Sequence, residues 1–144
     1  MYLPVTLCFA AAATLFNLFL AFRVSRIRMG EKVLHGDGGC EPLARRMRAQ
    51  ANYVENTPFV LIMCGLVELA NGSGLWLGAI TGTYMVARVL HMIGMHSDKP
   101  NLPRASGFVL SALCAVSLAA MSLQAVWQMR SMLKLPPPMA QSQG

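Results

Sequence analysis

Charged residues are absent from three stretches of this chain, 1–22, 69–87 and 105–129. Each is near or above the roughly 18–20 residues that a helix needs to cross the hydrocarbon core of a bilayer. A fourth apolar segment, from about Arg45 to Ala70, is interrupted by Glu55 and Glu68. The pattern predicts four helices, at about Tyr2–Arg28, Leu43–Ala70, Leu75–Met95 and Ala105–Met132. Turn residues separate them. Gly36, Asp37, Gly38 and Gly39 make a loop, read as a flexible one, and Pro42 suits a helix start. Gly72-Ser73-Gly74 gives a tight turn, and Pro100 and Pro103 force another. The expected fold is all-α, a four-helix transmembrane bundle in one domain over residues 1–134. Residues 135–144 read as a disordered Pro-rich tail.

Composition sharpens this picture. The chain is 55% hydrophobic and 12% charged, against about 25% charged for an ordinary soluble domain. Four spans in 144 residues leave no room for a soluble module. The first span lacks a basic region before its apolar stretch. Its arginines, Arg23, Arg26 and Arg28, come after it, so it reads as a retained helix and not a signal peptide.

The net charge of +6 is a topology signal and not a nucleic-acid signal. Seven of the twelve Lys and Arg residues fall between Arg23 and Arg48. The positive-inside rule then places the first and third connections in the cytoplasm and both termini outside, as in a bacterial inner-membrane protein. Trp76 and Trp127 suit the outer interface. Asn17, an amide inside an apolar helix, is expected to face another helix. Gly65, Gly78 and Gly82 would permit close helix approach. Cys8, Cys40, Cys64 and Cys114 are scattered without a CxxC and read as small apolar packing, so no metal site is expected.

The informative residues are polar groups carried into apolar helices. Arg48, Asn52 and Glu55 share one face of helix two. Tyr84, Arg88, His91 and Met95 share one face of helix three. Ionisable groups at membrane depth cost about 2.5–3.5 kcal/mol each on insertion scales, so they face the protein interior and pair. One outcome is purely structural, with Arg48–Glu55 or Arg88–Glu55 pinning helices together. Yet Arg26, Arg28, Arg48, Arg88 and Arg104 outnumber the carboxylates at this end. That excess calls for an anionic ligand, with lipid phosphates competing for the outermost arginines. A pocket with one wall in water and one in lipid suits a reaction between a charged soluble molecule and a lipophilic one.

The segment "RMRAQANYVENTPF" closely resembles the signature of the MAPEG superfamily, membrane-associated proteins in eicosanoid and glutathione metabolism. Its RAQ form is similar to the branch containing microsomal glutathione transferases. "RIRMGEKVLHGDGG" is similar to small bacterial members. The resemblance covers roughly residues 5–125. It implies a homotrimer of four-helix bundles, with glutathione as co-substrate between subunits and a small lipophilic electrophile delivered from membrane lipid. It also implies site roles. Arg26 or Arg28 would hold a glutathione carboxylate, and Arg48 and Asn52 further polar parts. Gln50 would add a hydrogen bond, Glu55 would meet the α-ammonium, and His91 would line the site. Arg104, just ahead of helix four, would activate the thiol.

Departures from the family pattern qualify these roles. Ala51 stands where the prostaglandin-synthase branch has arginine, which argues against that activity. His91, Met95 and Phe108 stand where relatives have tyrosines. The expected function is a membrane glutathione transferase, or a peroxidase reducing lipid hydroperoxides. The alternative is a non-catalytic scaffold or lipid-binding protein on the same fold. A small four-helix exporter is a third reading, against which helix one offers no acid.

Overall fold

A computed structural model of the chain describes residues 2–97 and 99–133. They form four helices, α1 (Pro4–Glu31), α2 (Glu41–Asn71), α3 (Leu75–Gly94) and α4 (Leu102–Leu133), with no strand among the described residues. The expected tail, 135–144, lies outside them. Pro4 and Pro42 stand in the first turns of α1 and α2, where the N–H that proline lacks would have no intrahelical partner. The same rule corrects the start of α4. Pro103 does not end the turn before the helix but lies within the first turn of α4, and so does Arg104.

Contacts along the helices fix an up-down-up-down order. Thr6 near the start of α1 meets Glu68 near the end of α2. Thr57 pairs with Tyr84, and Asn52, earlier on α2, with Arg88, later on α3. His91 near the end of α3 meets Arg104 at the start of α4. The core is built from one stripe of each helix, including Phe9 and Ala13, Tyr53 and Cys64, Leu77 and Tyr84, and Cys114 and Leu118. The remaining apolar surface faces outward. Only 17% of the most apolar window of α1 is buried in the protein, so its hydrophobicity matches a lipid surrounding better than a core. Leu15, Leu18, Phe19 and Phe22 are all exposed. By length and composition α1, α2 and α4 are apolar enough to cross a membrane; α3 carries Arg88 and His91 within 20 residues.

Asn17 is half-buried, as expected of an amide facing a neighbour, yet its Oδ1 has no hydrogen-bond partner. Cys64 and Cys114 pack in the core, whereas Cys8 is exposed on α1 and Cys40 is half-buried beside the first connection. That connection is tethered. Arg28 Nη1 donates to the Leu34 carbonyl at 3.1 Å, and Asp37 Oδ1 accepts from Gly39 N at 3.0 Å.

Within one chain the tightest helix approaches are at Gly94 and Gly107, and a Cβ on Gly65 would lie in ordinary contact with Thr6 of α1, 3.6 Å from its Cγ2. A Cβ on Gly78 or Gly82 would meet nothing within 4 Å. On Gly94 it would collide with the backbone of Arg104, and on Gly107 with the backbone nitrogen of His91 at 2.5 Å and the Ala87 carbonyl at 2.6 Å. Backbone cannot swing aside as a side chain can, so α3 and α4 must separate if either glycine gains a methyl. Gly107→Ala is expected to destabilise the fold by about 1–3 kcal/mol, read as a lowered unfolding temperature in detergent, while Gly82→Ala leaves it unchanged.

Candidate functional site

The tight α3–α4 crossing places His91 against the first turn of α4. Asn101 caps that helix: its Oδ1 accepts from Arg104 N at 2.9 Å, and its Nδ2 donates to the Gly94 carbonyl at 2.8 Å. One side chain thus closes the end of α3 and starts α4, and it fixes the backbone of Arg104. His91 Nδ1 lies 3.2 Å from the Arg104 carbonyl. A carbonyl only accepts, so Nδ1 carries the proton and Nε2 is left as an acceptor. Asn101 was not among the residues expected to matter. Its signal was legible: an Asn directly before the first helical residues, with Pro two positions on, is a cap pattern. Asn101→Ala is expected to cost about 1 kcal/mol of stability. It should also lower any activity that depends on Arg104 by more than that stability change explains, as steady-state rates on the folded variant would show.

Beside this junction lies an open groove of about 530 Å³, lined by Arg48, Asn52, His91, Met95, Arg104 and Phe108 among others. A second hollow of about 520 Å³ shares Arg48, Met95 and Arg104 and adds Asp37, Glu41 and Arg45. The structure therefore brings together four of the expected residues, Arg48, Asn52, His91 and Arg104. Arg48 and Arg104 are exposed there, Asn52 is half-buried and His91 is buried. Met95, Ala105 and Phe108 add apolar surface to the groove. Two guanidiniums, an amide and an imidazole interleaved with apolar side chains can hold an anionic polar molecule next to a lipophilic one.

The other expected residues lie elsewhere on the chain. Gln50 is half-buried two positions from both Arg48 and Asn52, about 200° around the helix at 3.6 residues per turn, so it faces away from the groove. Glu55 is exposed and does not line the groove. Arg26 is exposed and lines a separate hollow with Arg23, Ile27 and Arg46. Arg28 is engaged with the first connection and with Met47 Sδ.

The pairing alternatives resolve in an unexpected way. No ion pair joins Glu55 to Arg48 or Arg88 among the described residues; the pair present there is Arg45–Glu41 at 4.0 Å. Arg88 instead donates from Nη2 to Asn52 Oδ1 at 2.7 Å. It lies against the faces of Tyr53 and Tyr84, with centroid distances of 5.5 and 5.9 Å. The shared face of Tyr84, Arg88, His91 and Met95 is buried as the spacing predicts.

The second polar cluster, at the opposite end of the bundle, was not foreseen. Glu68 is buried, and its carboxylate accepts from Val5 N at 3.0 Å, Thr6 N at 2.8 Å, Thr6 Oγ1 at 2.6 Å and Ser73 Oγ at 2.7 Å. It caps the N-terminus of α1, which has no acidic residue of its own in its first turn.

Comparison with known proteins agrees with this architecture. Inner membrane protein YecN of Escherichia coli strain K12 is 32% identical over 93 residues, covering 64% of this chain and 70% of YecN. The YecN of Escherichia coli O6:H1 matches to the same extent. The family model for the MAPEG family matches residues 6–124, which take in all of α2 and α3 and most of α1 and α4. A membrane protein by its helices and by its relatives, this chain belongs to the MAPEG family.

Proposed function

We propose that this protein is a membrane glutathione transferase, or a glutathione-dependent peroxidase, acting on lipophilic substrates. The observation that carries the reading is the joint placement of Arg48, Asn52, His91 and Arg104 in one groove that apolar Met95, Ala105 and Phe108 also line. Family membership supports it. The donor set fits an anionic tripeptide: Arg48 and Asn52 offer N–H groups to its carboxylates and carbonyls. Arg104 supplies a positive charge that never leaves as a proton. An ordinary thiol, with a pKa near ~8.5, is mostly protonated at neutral pH. A fixed guanidinium stabilises the thiolate, and the thiol proton goes to solvent. In conjugation the sulfur forms a bond to an electrophilic carbon, and a leaving group departs with the electron pair. In peroxide reduction the sulfur takes the terminal oxygen of the hydroperoxide, the lipid leaves as its alcohol, and a second thiol completes a disulfide and water.

The division of the expected residues over two faces of one chain supports an oligomer, with a homotrimer the form the family resemblance implies. Gln50 and Arg26 lie outside the groove of their own chain, and in an oligomer they would serve the groove of a neighbouring copy. In the membrane α3 is the fourth span, about 30 Å long at 1.5 Å per residue, with Arg88 and His91 turned inward. The first and third connections are cytoplasmic and both termini are outside, in a bacterial inner membrane.

A second reading has one observation in its favour. Met95 and Phe108 line the groove without the hydroxyls that relatives place there. A scaffold or lipid-binding protein would use the same groove without turnover. Glutathione-dependent conjugation of a small aryl halide, measured with the purified protein, separates the two. Saturable turnover supports the transferase, and its absence at millimolar glutathione supports the scaffold.

A further inference from the structure

Arg88 is 3% exposed, and no carboxylate pairs with it among the described residues. Its Nε is buried without a partner. A lone guanidinium inside a membrane bundle is costly, so its one hydrogen bond matters. Arginine has five N–H donors and no acceptor. The Asn52 atom 2.7 Å from Nη2 is therefore the carbonyl oxygen. The planar amide then points its NH2 the other way, and Asn52 lines the groove.

We propose that Arg88 is a positioning residue: it takes the Asn52 carbonyl and leaves the Asn52 NH2 as a pure donor in the groove, so that this subsite accepts a carboxylate or carbonyl and rejects a donor. The inference rests on the groove being the ligand site, and it names the chemistry of one contact there. The buried charge strengthens the effect. A bond from a cation polarises the amide it meets, and its remaining N–H groups become better donors. Arg88 itself touches no ligand. Tyr53 and Tyr84 hold its guanidinium from their ring faces, and the Tyr84 hydroxyl is tied to Thr57 at 3.1 Å. A purely structural Arg88 would pin α3 to α2 and have no influence on what the groove accepts.

The test is a double-mutant cycle on the full-length protein, with glutathione as the probe and calorimetry as the readout. Asn52→Ala and Arg88→Met are each expected to weaken binding about tenfold, and the double variant is expected to bind no worse than either single one. Arg88→Met removes an unpaired buried charge, so its unfolding temperature should not fall. Arg88→Lys should recover most of the affinity. Losses that multiply in the double variant, or an Arg88→Met loss that tracks a lowered unfolding temperature, would overturn the proposal. Should Arg88→Met not fold, Asn52→Asp decides. It keeps an acceptor for Arg88 and removes the donor, so full stability with lost binding supports the proposal, and unchanged binding overturns it. If the wild type fails to bind glutathione, it is the glutathione reading that falls. The positioning is then read without ligand, from the nuclear magnetic resonance of isotope-labelled asparagine side chains. The Asn52 amide pair, identified by its loss in Asn52→Ala, should shift in Arg88→Met or in Arg88→Lys; an unmoved pair in a folded variant overturns the proposal.

Discussion

Arg104→Ala is expected to lower glutathione-dependent turnover by about 10²-fold or more, the usual effect of removing a fixed donor aimed at developing negative charge. The side chain is exposed at the edge of the groove while its backbone is held twice, by Asn101 Oδ1 on the nitrogen and by His91 on the carbonyl. Such a residue can be truncated with little structural consequence. The unfolding temperature should stay within a degree or two while the rate collapses. Arg104→Lys should recover only part of the rate, because lysine keeps the charge and loses the planar fork. Steady-state kinetics against a small aryl halide and against a lipid hydroperoxide would check both variants. Turnover that survives Arg104→Ala would remove this residue from the chemistry.

Glu68→Ala is expected to be the most destabilising single change at the end of the bundle that carries the α2–α3 turn, by about 2–4 kcal/mol. The carboxylate gathers four donors, two on each oxygen. Two of them are the amides of Val5 and Thr6, which cannot bond within their own helix. Glu68→Gln is expected to do nearly as much damage despite its shape. Glutamine offers one acceptor oxygen, and whichever way its amide turns, the NH2 opposes a backbone N–H that only donates, Val5 N or Thr6 N, while the Ser73 or Thr6 hydroxyl beside it must turn round to accept. Thermal unfolding in detergent would read both variants. A Glu68→Gln protein as stable as wild type would mean that the carboxylate is not the acceptor the geometry makes it.

The contrast between Glu68 and the groove shows what could be read from the sequence. Four helices follow from runs of apolar residues long enough to cross a bilayer, and the buried face of Tyr84, Arg88, His91 and Met95 follows from helical spacing. These are local properties. The family signature in α2 carried the choice of Arg48 and Asn52, and the groove contains both. Glu68 read only as an interruption, because three of its four donors lie on α1, more than sixty positions away, and nothing local announces them. An ion pair with Glu55 was one of the alternatives for Arg88, which instead meets an amide and two rings. Spacing puts groups on a face but does not say which group across the interface accepts. The glycines show the same limit. Nothing in the sequence singles out Gly94 and Gly107, because the crossing point of α3 and α4 is a tertiary fact.

The separation of Gln50 from Arg48 and Asn52 follows from helical spacing, whereas that of Arg26 from the groove is invisible along the chain. Under the proposed function, the site depends on a second copy. A protein held as a monomer should lose glutathione affinity even with its own groove intact. Cross-linking in detergent and in native membranes, scored beside binding, would show whether affinity follows the oligomer.

The most direct test of the proposed function is titration of glutathione into the purified, detergent-solubilised protein, followed by calorimetry and by the ultraviolet absorbance of the thiolate. Saturable binding is expected, with a thiolate fraction above that of free glutathione at the same pH, and with the excess absorbance lost in Arg104→Ala. No heat and no excess thiolate at millimolar glutathione would contradict the transferase and leave the groove to another anionic ligand.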